Sequence, residues 1–305
     1  MDRVRWIVIG IGDITRKRVI PAILNEPRSE LYGLVTRDPE KAEAYPGARA
    51  WGSLEEALCD RAVDAVYVAS PVALHAAQTI AALSAGRHVL CEKPVAMDYR
   101  QAQSMVAAGV FGVAYYRRLY PKLRRAKELI EAGAIGQPLL AEACNHGWLE
   151  SEERGWLRDP ALAGGGPLYD TASHRIDAFN FLFGPPARAT GFLSNVVHQL
   201  DVEDSATVLI DYASGVRGVV DCRWNSRVVR DEFRVIGTEG EMNLTPLNGP
   251  ELRYGNTLEM LPPHANLHYP LIENFVSAVL GEAPLVCPGA EAIQVDWVTA
   301  QVKAH

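Results

Sequence analysis

The first ~115 residues alternate between short apolar strands and helical patterns, and this alternation restricts the possible folds more than any other feature of the chain. β-branched runs predict strands at 5–9, 31–36, 65–69, 88–91 and 110–116. Apolar spacing of the helical kind predicts helices at 16–25, 39–44, 54–58, 74–85 and 98–108. Strands that alternate with helices in this way build a parallel sheet covered by helices, so we predict an α/β domain.

The pattern changes after Leu119. A helix at 121–132 is followed mainly by strand patterns, at 138–145, 187–197, 206–212, 216–224, 232–236 and 241–244. The short glycine-bearing connections at 213–215 and 237–240 are typical of antiparallel hairpins. We therefore predict two domains, an α/β domain over 1–117 and an α+β domain over 118–305.

Composition excludes several classes of protein. The chain has 305 residues, 48% of them hydrophobic and 22% charged, as in an ordinary globular protein. No apolar run approaches the ~20 residues of a membrane span, and a net charge of −7 argues against a nucleic-acid partner. The N-terminal residues lead directly into a strand without a signal-peptide pattern, and the five cysteines lack a C-x-x-C pair. We expect reduced thiols, no metal and a cytoplasmic protein.

A glycine turn joins the first strand to the first helix. Gly10 permits a tight turn, and Gly12 lets the backbone approach a pyrophosphate at the helix N-terminus. The next residues of the turn are Asp13 and Ile14, and Thr15 stands where the fingerprint has its third glycine. A G-x-G turn is also found in plain strand–helix connections, but its place after the first strand favours a dinucleotide site.

The end of the second strand indicates which dinucleotide is bound. An NAD site usually has an acid there for the ribose hydroxyls. This strand ends in Thr36 and Arg37, whose hydroxyl and guanidinium suit the 2′-phosphate of NADP. NADP is thus the preferred prediction, whereas a register that brings Asp38 to the ribose would favour NAD.

The third and fourth strands also end in polar loops. After the third strand, Ser70 either caps the following helix or borders the nicotinamide half of a dinucleotide. The fourth strand, 88–91, is followed by Glu92 and Lys93 and is ended by Pro94, which cannot donate a ladder hydrogen bond. Open α/β sheets bind ligands at this edge, so an acid and an amine are expected at a ligand site.

A second polar group lies in the C-terminal half. Three glycines at 164–166 precede a helical pattern in which Asp170, His174 and Asp177 are spaced four and three residues apart, on one helical face. The histidine is interpreted either as a core residue or, with an acid one turn before it and glycines that allow close backbone approach, as a proton donor. An Asp-x-x-x-His pair also suits a metal, but no third ligand has suitable spacing.

Together these motifs resemble those of the glucose-fructose oxidoreductase / inositol dehydrogenase / MocA-like (Gfo/Idh/MocA) family, along almost the whole chain. The motifs that carry the resemblance are Gly10-x-Gly12, Ser70-Pro71-x-x-Leu74-His75, Gly86 to Pro94 and Gly164 to Asp177. The resemblance implies a Rossmann dinucleotide-binding domain followed by a domain with a large, mostly antiparallel open sheet. In this family that sheet commonly makes oligomer contacts, so a homodimer or homotetramer is expected.

The resemblance also implies an NAD(P)-dependent dehydrogenase or reductase that acts on CH–OH or C=O groups of sugars, polyols or keto-sugars. Its catalytic residues map to Lys93, Asp170 and His174. Its cofactor contacts map to Gly10, Gly12, Asp13, Ile14, Thr36, Arg37, Ser70, Pro71, Leu74, His75, Glu92, Lys93 and Arg158.

This sequence departs from the family pattern at three places. Leu157 separates Trp156 from Arg158, where the family has an adjacent Trp-Arg pair. Val72 replaces a common Asn, and Tyr116 stands where a smaller polar residue is frequent, so an unusual pocket shape is expected.

In the expected reaction, Lys93 hydrogen-bonds the reacting oxygen, His174 exchanges the proton and Asp170 orients the substrate or the imidazole. The sequence leaves open whether Lys93 or His174 is the immediate proton donor. Two other functions stay open: a non-catalytic dinucleotide-binding sensor, and an enzyme for a non-sugar substrate such as a linear tetrapyrrole or an aromatic diol.

Overall fold

The computed structural model describes residues 2–106, 109–150 and 152–304, so the last two residues of the predicted helix 98–108 lie outside the described part. The chain forms two compact units. The first contains Met1–Ala96, Arg100–Tyr116 and His264–Ala292, and the second contains Met97–Tyr99, Arg117–Pro263 and Ile293–His305. The contiguous domains 1–117 and 118–305 stay a prediction, and the compact units differ from them mainly in the segment His264–Ala292.

The first unit is built on a six-stranded parallel sheet in the order β3-β2-β1-β4-β5-β6. Its strands are β1 (Val4–Ile9), β2 (Ser29–Val35), β3 (Arg49–Trp51), β4 (Ala65–Val68), β5 (His88–Cys91) and β6 (Phe111–Val113). All four residues of β4 are buried, as expected for a parallel sheet covered on both faces. The edge strand β3 was not predicted, because it is short and mostly exposed.

The second unit contains an eight-stranded sheet in the order β14-β13-β12-β11-β7-β10-β9-β8. Its strands are β7 (Pro138–Trp148), β8 (Pro186–Ser194), β9 (Ser205–Tyr212), β10 (Arg217–Arg223), β11 (Asn225–Gly237), β12 (Glu241–Asn243), β13 (Glu251–Tyr254) and β14 (Thr257–Met260). Among the described residues, only β7 and β10 of this sheet pair in parallel, so the mostly antiparallel sheet is confirmed.

Helices cover both sheets. They are α1 (Ile20–Asn25), α2 (Glu40–Glu43), α3 (Leu54–Leu58), α4 (Val72–Ser84), α5 (Tyr99–Met105), α6 (Pro121–Glu131), α7 (Pro160–Ala163), α8 (Ser173–Phe183), α9 (Tyr269–Val279), α10 (Gly289–Ala292) and α11 (Gln294–Lys303). Two π-helical segments, Thr15–Val19 and Leu168–Ala172, lead into α1 and α8.

Long-range packing assigns α9 to the first unit. The ring of Trp6, buried in β1, lies 5.0 Å from that of Phe275 in α9. The predicted strand 110–116 is shorter than expected, because the chain turns into a 3₁₀ segment, Tyr116–Leu119, and Val113 donates to the carbonyl of Cys287 at 3.0 Å. Among the described residues, no helix is both long enough and apolar enough to cross a membrane.

Candidate active site

The glycine turn has the geometry expected for a dinucleotide site. Gly10 has a φ of +85°, and a Cβ there would lie 2.4 Å from the carbonyl oxygen of Ala69 at the end of β4, so only glycine fits. A Cβ at Gly12 would meet no atom within 4 Å, which leaves open space above the backbone at the start of the helix. These features fit the pyrophosphate of a dinucleotide.

The residues after the two glycines stabilise this turn. Thr15 is fully buried, and its hydroxyl lies 3.1 Å and 2.9 Å from the carbonyl oxygens of Gly10 and Gly12. The threonine therefore fills the third position of the fingerprint by hydrogen bonding. Lys17 and Arg16 hold the Asp13 carboxylate at 2.9 Å and 2.7 Å and lower its pKa. These cations balance an acid that would otherwise repel a phosphate.

At the end of β2, Arg37 presents an exposed cation. Thr36 accepts a hydrogen bond from the backbone N–H of Asp38 at 3.1 Å, and the Asp38 carboxylate lies 3.6 Å from the amine of Lys41. Arg37 is exposed, and within residues 2–106, 109–150 and 152–304 it has neither an ion pair nor a side-chain hydrogen bond. Asp38, the alternative ribose ligand, is thus already engaged by a cation.

His75 links the two polar loops of the first unit. It is 1% exposed, with its ring nitrogens 2.8 Å from the carbonyl oxygen of Ser70 and 2.9 Å from that of Pro94. The Ser70 hydroxyl donates to Gln78 at 2.6 Å, whereas α4 starts after Pro71 without a side-chain cap. The interpretation of Ser70 as a helix cap is therefore wrong.

The segment after β4, through the first turn of α4, also presents two apolar residues to solvent. Leu74 is 46% exposed, and Pro71 is exposed as well. Both remain available for the predicted contact with a cofactor.

Glu92 and Lys93 follow β5, whose bounds His88–Cys91 are as predicted. Glu92 accepts hydrogen bonds from the Tyr67 hydroxyl at 2.8 Å and from the backbone N–H of Lys93 at 3.2 Å. The Nε2 atom of His268 lies 3.6 Å from the same carboxylate. Burial alone raises the pKa of such a carboxyl, but His268, Tyr67 and the charge of Lys93 hold the pKa of Glu92 below its usual value.

In the second unit, the loop of three glycines, 164–166, packs closely against Tyr169 and Glu203. A Cβ at Gly166 would lie 2.0 Å from the carbonyl oxygen of Glu203, and one at Gly165 or Gly164 would meet the Tyr169 ring at 2.5 Å or 2.7 Å. The carboxylate of Glu203 accepts the backbone N–H of Leu168 at 3.0 Å, and burial raises the pKa of Glu203. The close backbone approach predicted here is thus to Tyr169 and Glu203.

This loop leads into the segment that carries the two predicted catalytic residues of the second unit. Asp170 is half-buried in the π-helical segment Leu168–Ala172, and His174 is 7% exposed in α8. Asp177, one turn further, forms a buried ion pair with Arg118 at 2.8 Å. Asp177 therefore anchors α8 in the interior of the second unit.

The inserted Leu157 has a packing role. It is 4% exposed and belongs to a small apolar cluster with Ala163, Val202 and Trp224. Trp156 is 43% exposed and Arg158 is half-buried. The insertion accordingly serves the core of this region, and the cofactor contact of Arg158 stays a prediction.

The parallel register brings the first group of predicted residues to one edge of the sheet. The residues after β1, β2, β4 and β5 follow the carboxyl ends of neighbouring strands. Lys93 belongs to the first unit, whereas Asp170, His174 and Arg158 belong to the second. Sequence reasoning missed Tyr67, His268 and Glu203, because each acts on a residue far away along the chain and has no motif of its own.

Comparison with known proteins identifies both halves of the chain. Residues 4–110 match the model of the oxidoreductase family with an NAD-binding Rossmann fold, and residues 123–243 match the GFO/IDH/MocA C-terminal domain. A 1,5-anhydro-D-fructose reductase of Ensifer adhaerens is 31% identical over 95% of this chain and 92% of its own length. A D-xylose 1-dehydrogenase [NADP(+)] of Haloarcula marismortui is 29% identical over 80% of this chain and 72% of its own.

A solved structure supports the fold. Levoglucosan dehydrogenase in complex with NADH and levoglucosan superimposes with a TM-score of 0.89, at 22% identity, over 99% of this chain and 96% of that one. The two family models, the relatives and the glycine turn after β1 all indicate the same family. The chain belongs to the Gfo/Idh/MocA family of NAD(P)-binding oxidoreductases.

Proposed function

We propose that this protein transfers a hydride between a nicotinamide dinucleotide and a carbon of a sugar, polyol or keto-sugar, with Lys93, His174 and Asp170 as catalytic residues. The observation that carries the proposal is the place of Lys93. It follows the carboxyl end of β5, on the same sheet edge as the open backbone at Gly12. Open α/β sheets bind their ligands at this edge.

The residues of the chain have separate roles in this reaction. A bound nicotinamide cofactor supplies the hydride chemistry. Lys93 hydrogen-bonds the reacting oxygen and stabilises the negative charge that develops on it during reduction. His174 or Lys93 delivers the proton, and Asp170 orients the substrate hydroxyls or the imidazole.

The preferred cofactor in this proposal is NADP. The exposed guanidinium of Arg37 has no ion-pair partner in the described part of the chain, while Lys41 offsets the charge of Asp38. A free guanidinium at this strand end suits a 2′-phosphate. The NADP-dependent relative from Haloarcula marismortui agrees with this choice.

Sugars and their keto forms are the proposed substrates, because the two relatives compared above are named for anhydrofructose and xylose. The experiment is a panel of keto-sugars, aldoses and polyols, together with an aromatic diol and a linear tetrapyrrole. Each compound is tested with each of the four nicotinamide cofactors, and turnover is followed by the absorbance of the reduced nicotinamide. We expect turnover of at least one sugar or polyol. Turnover restricted to an aromatic diol or a tetrapyrrole, or tight dinucleotide binding without any turnover, would overturn the proposal in favour of the alternatives.

We also propose that two copies of the chain associate through the open face of the eight-stranded sheet. Helices α8 and α11 pack on this sheet, while β8 and β9 expose Phe192 (79%) and Leu209 (39%) beside the ion pair of Arg217 and Asp211. Light scattering after gel filtration tests this, and a Phe192→Asp variant should be more monomeric than the parent. Four of the five cysteines are buried, and no disulfide links cysteines within the described residues, which favours a reducing compartment such as the cytoplasm.

A further inference from the structure

His268 is a buried polar residue that no motif predicts. It precedes α9, is 1% exposed and packs its ring against Tyr116 with the centroids 4.6 Å apart. Its backbone N–H donates to the Asn266 side chain at 3.0 Å, and Asn266 in turn donates to the carbonyl of Arg18 at 2.8 Å. The position of the imidazole is thus fixed both by ring packing and through its backbone.

The neighbouring Glu92 accounts for the burial of this imidazole. In the described part of the chain, neither ring nitrogen of His268 makes a direct hydrogen bond, and Nε2 lies 3.6 Å from Oε1 of Glu92. Burying a polar ring without hydrogen bonds is costly, and a phenylalanine would stack on Tyr116 equally well. The gain that favours histidine is therefore its electrostatic contact with the carboxylate.

Glu92 transmits this contact to Lys93. Its Oε1 accepts the Tyr67 hydroxyl at 2.8 Å, and its Oε2 accepts the backbone N–H of Lys93 at 3.2 Å. A carboxylate accepts at both oxygens, whereas a protonated carboxyl presents a donor at one of them. Protonation of Glu92 would thus disturb the hydrogen bonds that fix the backbone at Lys93.

We propose that His268 is a positioning residue for Lys93: packed against Tyr116, it directs Nε2 towards the carboxylate of Glu92, and Glu92 holds the Lys93 backbone in place. This inference rests on the proposed catalytic role of Lys93 for its effect on turnover. The structural part of the inference, that Glu92 fixes the backbone amide of Lys93, does not depend on that role.

The pH dependence follows from the groups around Glu92. Tyr67, His75, Lys93 and His268 interact with Glu92 from β4, α4, its own strand end and the segment before α9. Cys91 and Tyr116 interact in turn with Tyr67. Burial raises the pKa of Tyr67 well above 10, so its hydroxyl stays a donor throughout the working range. Burial raises the pKa of Glu92 and His268 lowers it, so loss of His268 should raise this pKa. Glu92 is then protonated at a higher pH than in the parent.

The test uses two variants of His268 in the full chain. His268→Phe keeps the ring stacked on Tyr116 but removes the polar nitrogens, and His268→Gln restores an amide donor of similar reach. His264→Phe is the control, because His264 lies in the same segment and hydrogen-bonds Asn266 without contacting Glu92. Two readouts are compared, amide hydrogen exchange at Lys93 and the pH profile of kcat.

At a pH where Glu92 is protonated in His268→Phe but still ionised in the parent, we expect the Lys93 amide to exchange about tenfold faster or more in His268→Phe, as for the loss of ~1.4 kcal/mol, and near the parent rate in His268→Gln and His264→Phe. With an active substrate, the acidic limb of the kcat profile should move up by about one pH unit in His268→Phe alone, with little change in KM.

Parent-like exchange at Lys93 in His268→Phe overturns the inference, as does equal acceleration in the His264→Phe control. Exchange that changes as expected in a protein that turns over no substrate would refute the proposed function and leave the positioning role standing. The two failures are therefore distinguishable.

Discussion

Arg118 and Asp177 form an ion pair in the interior of the second unit, with Nη2 of the arginine 2.8 Å from Oδ1 of the aspartate. Both side chains are 1% exposed, and a second nitrogen, Nε, also contacts the carboxylate at 3.0 Å. The pair fixes α8, which carries His174 one turn before Asp177. The neighbouring Arg175 is buried and held at 2.8 Å by the half-buried Asp231, so this second ion pair also helps to fix the position of the helix.

Arg118→Ala should destabilise the protein strongly. Removing one partner leaves the Asp177 carboxylate buried without its countercharge, which typically costs about 3–5 kcal/mol of the free energy of unfolding. Urea unfolding measures this. The matched control is Arg125→Ala, whose partly exposed pairs with Glu128 and Glu259 should contribute at most ~1 kcal/mol. Equal losses in both variants would contradict the anchoring role of Arg118.

Local patterns predicted the elements whose residues alternate or repeat clearly. The bounds of β5 and α3 are as predicted, since Gly86 and Pro94 delimit the former and Ser53 caps the latter with a hydrogen bond to Glu56. The short strands β3, β13 and β14, of which β3 and β14 are mostly exposed, have too little apolar periodicity to be recognised.

Contacts between distant segments were beyond sequence reasoning. Asp177 lies one turn after His174 in α8, as the sequence predicts. No local sequence pattern, however, shows that Arg118 neutralises the aspartate. In the same way, three consecutive glycines predict a close approach without showing that Glu203 is the group approached. The candidate site was thus predictable by residue type and strand end, whereas the residues that support it were not.

Gly166→Ala should disturb the loop that leads to Asp170. Its Cβ would lie 2.0 Å from the carbonyl oxygen of Glu203, a backbone atom that cannot move cheaply. We expect a loss of about 1–3 kcal/mol in stability, measured by thermal or urea unfolding, together with reduced turnover. Gly147→Ala is the control, because its Cβ would meet no atom within 4 Å. A fully stable and active Gly166→Ala variant would show that the loop tolerates the shift.

Because of Lys122, the free energy of unfolding should increase with pH in the alkaline range. It is fully buried and donates to the carbonyls of Leu244 and Pro246, and burial lowers its pKa to about 8. An unfolded lysine has a pKa of ~10.4. Between these values the unfolded chain binds more protons than the folded one, so the stability contribution of Lys122 rises with pH.

The measurement compares the parent with Lys122→Met, in which the titrating amine is absent. The free energy of unfolding of the parent, relative to the variant, should increase between about pH 8 and pH 10 and stay constant below about pH 7. Parallel stability curves across this range would rule out a lowered pKa for Lys122.

Arg37→Ala should reduce the preference for NADP. A charge-assisted hydrogen bond to phosphate contributes ~1.5–3 kcal/mol, so NADP affinity should fall by about tenfold or more. NAD affinity should stay nearly unchanged, because NAD lacks the 2′-phosphate. Fluorescence titration with both dinucleotides measures the ratio, and Arg61→Ala, another exposed arginine of the first unit, is the control. A parent that binds both dinucleotides equally would refute the assignment.

Lys93→Met should separate chemistry from cofactor binding. The methionine keeps much of the length and bulk of the side chain but deletes the ammonium that hydrogen-bonds the reacting oxygen. Loss of one preorganised donor of this kind typically lowers kcat by ~10²–10³. We therefore expect turnover of a good substrate to collapse, while dinucleotide affinity, measured by fluorescence, changes little. Lys127→Met, a lysine of α6 outside the site, should behave like the parent. If Lys93→Met keeps kcat within about threefold of the parent, against the loss expected for such a donor, Lys93 is not catalytic and the proposed site is wrong.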